Sequence, residues 1–179
     1  MSKSVYDSPN NTIEINRHIL TILVDNEPGV LARVIGMFSG RGYNIDSLNV
    51  AEVNNQHLSR ITIVTHATIE VIEQIQSQLM RIVPVHSVTN LDKENSAVEA
   101  EVALIHMFLN DMNKKQAFQI CDLYRARKIE NENSYVIFEI AGTSERINKF
   151  IKDISNITNI EIVRSGPVAI STAKKNEEA

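Results

Sequence analysis

At 179 residues and 20.1 kDa, the chain has room for one ordinary domain or two small ones. Hydrophobic residues make up 43% and charged residues 22%, enough apolar material for a folded core. The net charge of -4 argues against a nucleic-acid surface, and the lone Cys121 against a disulfide framework or a cysteine zinc site.

Several further features narrow the class. Met1 to Arg17 is polar and lacks the apolar core of a secretory signal, and no apolar run nears the ~20 residues of a membrane span. A cytoplasmic protein without membrane contact is therefore expected. Twenty-four Ile and sixteen Val, with 5% aromatics and no Trp, favour strands. Residues 1–16 and 172–179 read as flexible ends from their polarity and charge.

His18 to Asp25 forms a short, nearly continuous apolar strand. After Asn26-Glu27-Pro28-Gly29, the apolar residues Val30, Leu31, Val34, Ile35 and Phe38 recur at helical spacing, with Pro28 expected at the first helical position. Gly40 and Gly42 stop that helix. Strands follow at Ile45 to Val53 and His57 to His66, then a helix from Thr68 to Ile82 and a strand from Val83 to Leu91. The order is βαββαβ.

Beyond the polar stretch Asp92 to Ser96, the pattern repeats. Val98 to Leu109 reads as a strand and Lys114 to Ala126 as a helix. Lys128 to Glu130 and Tyr135 to Ile140 read as a hairpin around Asn131-Glu132-Asn133. Thr143 opens a second helix, and Asn159 to Ser171 closes the unit as a strand that Gly166-Pro167 must bend or place at an edge. The predicted fold class is α+β, with two tandem ferredoxin-like βαββαβ domains at residues 17–92 and 97–171. Helices cover one face of each sheet. The other face is expected to be bare, and an uncovered apolar face needs a partner, so oligomerisation is expected.

Enzyme readings find little support in these residues. The five histidines are scattered, Cys121 lies on an apolar helix face, and no phosphate-loop or dinucleotide glycine motif occurs. Base stacking on the central strands also fails, because Ile45 to Leu91 holds no Phe, Tyr or Trp. The loop Asp25 to Leu31 differs. It delivers a strand to a helix N-terminus, whose free N–H groups and dipole suit a carboxylate. Gly29 permits close approach, and Asn26 can donate and accept together. Spacing alone leaves a plain helix-start turn open beside this reading.

The pattern D/E-N-E-x-G-x-L-x-R-V-x-G-x-F-x-x-R-G-Y-N-I-x-S-L runs from Asp25 to Leu48 and closely resembles the small regulatory subunits of acetohydroxyacid (acetolactate) synthase. The second half resembles them more loosely, through Arg125, Ala141-Gly142-Thr143-Ser144 and Arg164-Ser165-Gly166. The resemblance implies an N-terminal ACT domain and a non-catalytic chain without cofactor or metal of its own. It implies a homodimer paired through ACT domains. The expected partner is a large catalytic subunit carrying thiamine diphosphate, Mg²⁺ and FAD. Valine, or another branched-chain amino acid, would inhibit by feedback from a site built of Asn26, Glu27, Pro28, Gly29, Val30 and Leu31 of one chain with Asn44 and Ile45 of the other. The rival reading is a free-standing amino-acid-sensing ACT protein with another target; a small ferredoxin-like enzyme ranks third.

Overall fold

The computed structural model describes residues 14–91, 97–131 and 135–172. Most of the expected flexible ends, the polar stretch at 92–96 and the turn at 132–134 lie outside the described residues. The first half contains β1 (Asn16–Asp25), α1 (Val30–Ser39), β2 (Ser47–Glu52), β3 (Leu58–Ala67), α2 (Ile69–Leu79) and β4 (Val85–Asn90). The second contains β5 (Ala97–Phe108), α3 (Lys114–Leu123), β6 (Arg127–Asn131), β7 (Tyr135–Gly142), α4 (Ser144–Ser155), β8 (Ile160–Arg164) and β9 (Val168–Ser171). The sheet orders are β2-β3-β1-β4 and β6-β7-β5-β8, antiparallel throughout, with β9 also paired to β5. Both halves thus have the ferredoxin-like arrangement, and the fold class is α+β as expected.

Alternation along each strand decides which residues meet the helices. Leu20, Ile22 and Val24 of β1 and Ile61 and Ile63 of β3 pack on Val34 and Phe38 of α1 and on Ile72, Ile75 and Leu79 of α2. In the second half, Ala103, Ile105 and Met107 of β5 meet Cys121, Ile147, Phe150 and Ile154. Burial pushes the Cys121 thiol up to about 12, so it is an inert small hydrophobe. Thr68 and Thr143 cap α2 and α4, accepting from the N–H groups of Val71 (3.5 Å) and Arg146 (3.3 Å).

Two expectations are corrected here. Pro28 is not a helical residue. It precedes Gly29, which has φ +90° and is the N-cap of α1, and the Val30 N–H reaches the Glu27 carbonyl at 3.5 Å. Proline followed by a positive-φ glycine makes a type II turn, so the chain turns first and becomes helical at Val30.

The outer face of the first sheet is not bare either. The final strand breaks at Gly166-Pro167, and β9 pairs with the first residues of β5 as a two-stranded ribbon. That ribbon lies on the first sheet, where Ala169 joins Ile19, Val64 and Leu91 in a third apolar cluster. Arg17 of β1 pairs with Glu99 of β5 at 2.7 Å, and Asn49 of β2 donates to the Pro167 carbonyl at 3.2 Å. Gly166, at φ +72°, sits so close to β2 that a Cβ there would stand 1.9 Å from the Ser47 hydroxyl.

Just beyond the ribbon, the buried carboxylate of Glu101 accepts twice from Arg164 and once from Ser144. Burial pushes the Glu101 carboxyl up, but those hydrogen bonds and the charges of Arg164 and Arg17 outweigh it and hold it below its ordinary value.

Candidate functional site at the first strand–helix loop

The loop from Asn26 to Leu31 is fixed at both sides by its own chain. Asp25 donates its N–H to the Pro84 carbonyl at 2.9 Å, and its carboxylate meets His86 at 2.6 Å. Asn26 donates its N–H to the His57 carbonyl at 2.7 Å. Its amide Nδ2 donates to Glu52 and to the Gln56 carbonyl, each at 3.0 Å. An incoming anion therefore competes with Glu52 for that amide. Glu27 lies 3.7 Å from Arg33 with both side chains half exposed.

The turn then opens α1 without a side-chain cap and without an acidic residue in its first turn. The first intrahelical bond runs from the Arg33 N–H to the Gly29 carbonyl at 3.1 Å. That leaves the N–H groups of Leu31 and Ala32 at an exposed helix start, where they can donate to water or to an anion. Nothing lies within 4 Å of the place a Gly29 Cβ would occupy, so the approach is open. Val30 is buried in the core and anchors the turn from beneath.

Asn44 and Ile45 lie after α1. The Thr65 hydroxyl donates to the Asn44 carbonyl at 2.6 Å, and the Asn44 amide donates to Asp46 at 2.7 Å. Asp46 in turn meets His66 at 2.7 Å. Ile45 packs against the first core. Among the described residues, no hydrogen bond or ion pair joins this group to the 26–31 loop within one chain. No group of three or more His, Cys, Asp or Glu among the described residues is placed to hold a metal ion. Among the described residues, no helix is long and apolar enough to cross a membrane.

Two features escaped the sequence reading. Glu101 falls in the inward register of β5 beside Ala103, Ile105 and Met107, which could have marked it as a buried carboxylate in need of a cation. Arg60 lines a cleft built from strands distant in sequence, and no local signal announces it.

Two ferredoxin-like units in tandem, the first with an open glycine turn at its leading helix, define the class: a tandem α+β protein. Residues 20–87 match the family model described as "AHAS small subunit-like ACT domain", and residues 100–173 match "Small subunit of acetolactate synthase". The chain is 38% identical to the acetolactate synthase isozyme 3 small subunit of Escherichia coli over 160 residues, covering 89% of this chain and 98% of that one. It is 37% identical to the small subunit of Buchnera aphidicola over 156 residues, covering 87% and 98%. The crystal structure of the Thermotoga maritima small subunit superposes with a TM-score of 0.81 at 34% identity, covering 90% of this chain and all of that one. The chain belongs to the acetolactate synthase small-subunit family.

Proposed function

We propose that this chain is the regulatory subunit that raises the activity of a thiamine-dependent acetolactate synthase catalytic subunit and confers feedback inhibition by valine. The observation that carries the reading is the match to small subunits across both halves, over 87–90% of this chain and at a third or more identity. The open turn at Gly29, with the uncapped N–H groups of Leu31 and Ala32 beside it, supports effector binding at Asn26 to Leu31. Asn44 and Ile45 would be supplied by a second copy in a homodimer of ACT domains. The domains are taken as residues 17–92 and 97–171. Thiamine diphosphate, Mg²⁺ and FAD belong to the catalytic partner in this reading, and none to this chain.

The mechanism is a population shift. Valine binds one arrangement of the paired ACT domains better than another, and that difference biases the attached catalytic subunit. The test is acetolactate formation from pyruvate with saturating thiamine diphosphate, Mg²⁺ and FAD. The chain alone is expected to make none. Adding it to the catalytic subunit should raise activity, and valine should reverse much of the gain. Turnover by the chain alone overturns the non-catalytic reading. Absence of stimulation favours a free-standing amino-acid sensor.

A further inference from the structure

Between the outer face of the first sheet and the β5–β9 ribbon lies a cleft of about 370 Å³. That is at the lower end of the ~300–1,000 Å³ of small-molecule sites, so it admits a small organic ligand. Its ribbon side is aliphatic: Val98, Val168 and Ile170 line it from the ribbon face opposite Ala169, and each is more than half exposed. Its floor is the sheet, where Ala51 of β2 pairs with Arg60 of β3 and leaves room beside it.

Among the described residues, Arg60 is the only cation lining this cleft. Among the described residues its guanidinium makes no hydrogen bond and no ion pair. It is half-buried beside aliphatic side chains of the ribbon. The one carboxylate at the cleft, Glu52, is engaged by the Asn26 amide at 3.0 Å. A guanidinium fork accepts a carboxylate through two parallel N–H···O bonds. Three β-branched side chains beside it accept a branched hydrocarbon. Among the described residues, neither an aromatic ring nor a second cation lines the cleft, which disfavours a nucleobase or a multiply charged phosphate.

We propose that this cleft is a second small-molecule site, which takes a short branched aliphatic carboxylate with its carboxylate on Arg60 and its hydrocarbon against Val98, Val168 and Ile170. The site is separate from the Gly29 turn, and it does not rest on the effector reading of that turn. Isovalerate is the suitable probe, because it has the branched body and carboxylate of valine but no ammonium.

The experiment is methyl NMR of the full-length chain titrated with isovalerate, reading the Val98, Val168 and Ile170 methyls. Saturable shifts of these methyls are expected. Arg60→Gln should weaken the binding at least tenfold, Arg60→Lys, which keeps the charge but loses the two-pronged fork, should fall between Arg60→Gln and wild type, and Gly29→Asp should leave it unchanged. If the methyls do not shift saturably, or shift equally in Arg60→Gln, the proposal fails. It fails also if Val98→Asp turns an oligomer into monomers, which would make the cleft a contact between copies.

Discussion

Gly166→Ala tests how the two halves are joined. The residue has φ +72°, where an L side chain costs about 1–2 kcal/mol. Its new Cβ would stand 1.9 Å from the Ser47 hydroxyl, 3.1 Å from the Ser47 Cβ and 3.2 Å from the Asn49 amide. Either Ser47 changes rotamer or the kink lifts from β2. Lifting would also break the Asn49–Pro167 hydrogen bond, worth about 1 kcal/mol net. A loss of about 2–3 kcal/mol is expected, read as a lower urea midpoint. Ser47→Ala removes the 1.9 Å contact but leaves the backbone strain, so in the Gly166→Ala background it should restore about 1 kcal/mol. A double-mutant cycle isolates that coupling. Wild-type stability in Gly166→Ala, or no coupling to Ser47, would refute the docking of the ribbon on β2.

Gly29→Asp places a carboxylate at the open turn and is expected to abolish valine binding by calorimetry, whereas Gly29→Ala shares its backbone strain of about 1–2 kcal/mol and should bind more tightly than the Asp variant; equal wild-type affinity in all three would put the effector elsewhere. Phe150→Ala empties a fully buried position in the second core and should cost about 3–5 kcal/mol in urea denaturation. The Glu101 carboxyl is held below its ordinary value, so its contribution is full above pH ~4.5 and is lost as pH falls through the lower folded value. Glu101→Gln should therefore be less stable than wild type at neutral pH by about 1–3 kcal/mol, with the gap closing toward pH 3; a gap that widened in acid would contradict the sign. A fragment ending at Glu94 keeps β1 to β4 with both helices, and should fold and dimerise while binding a hydrophobic dye at Ile19, Val64 and Leu91. An unfolded circular dichroism spectrum, or a monomer by light scattering, would count against that division of the chain.

The succession of strands and helices was legible because alternation and helical spacing are local patterns. Thr143 as a cap and Gly166-Pro167 as a break in the last strand follow from side-chain and backbone chemistry within a few residues. Pro28 misled for the same reason. A Pro-Gly pair fits both a helix start and a type II turn, and only the positive φ at Gly29 separates them. The covered outer face was not legible, since Ile19 and Val64 meet Ala169 from the far end of the described chain. Arg60 was equally silent: an arginine on a strand reads as a solvated face until the ribbon is placed opposite it. The Asn26–Leu31 loop was legible as a glycine turn at a helix start, with spacing alone leaving a plain turn open, and its tie to Glu52 and Gln56 depended on how β2 and β3 come together.

The ribbon also sets an order of events during synthesis. All of β1 to β4 has been made once Asn90 has left the ribosome, and that half holds a core of its own. Ile19, Val64 and Leu91 nevertheless stay open to water until Ala169 arrives. A nascent chain therefore passes through a stage with a finished first sheet and an unsealed apolar patch. A neighbouring copy or a chaperone could engage that patch then, and neither could reach it after β9 has docked.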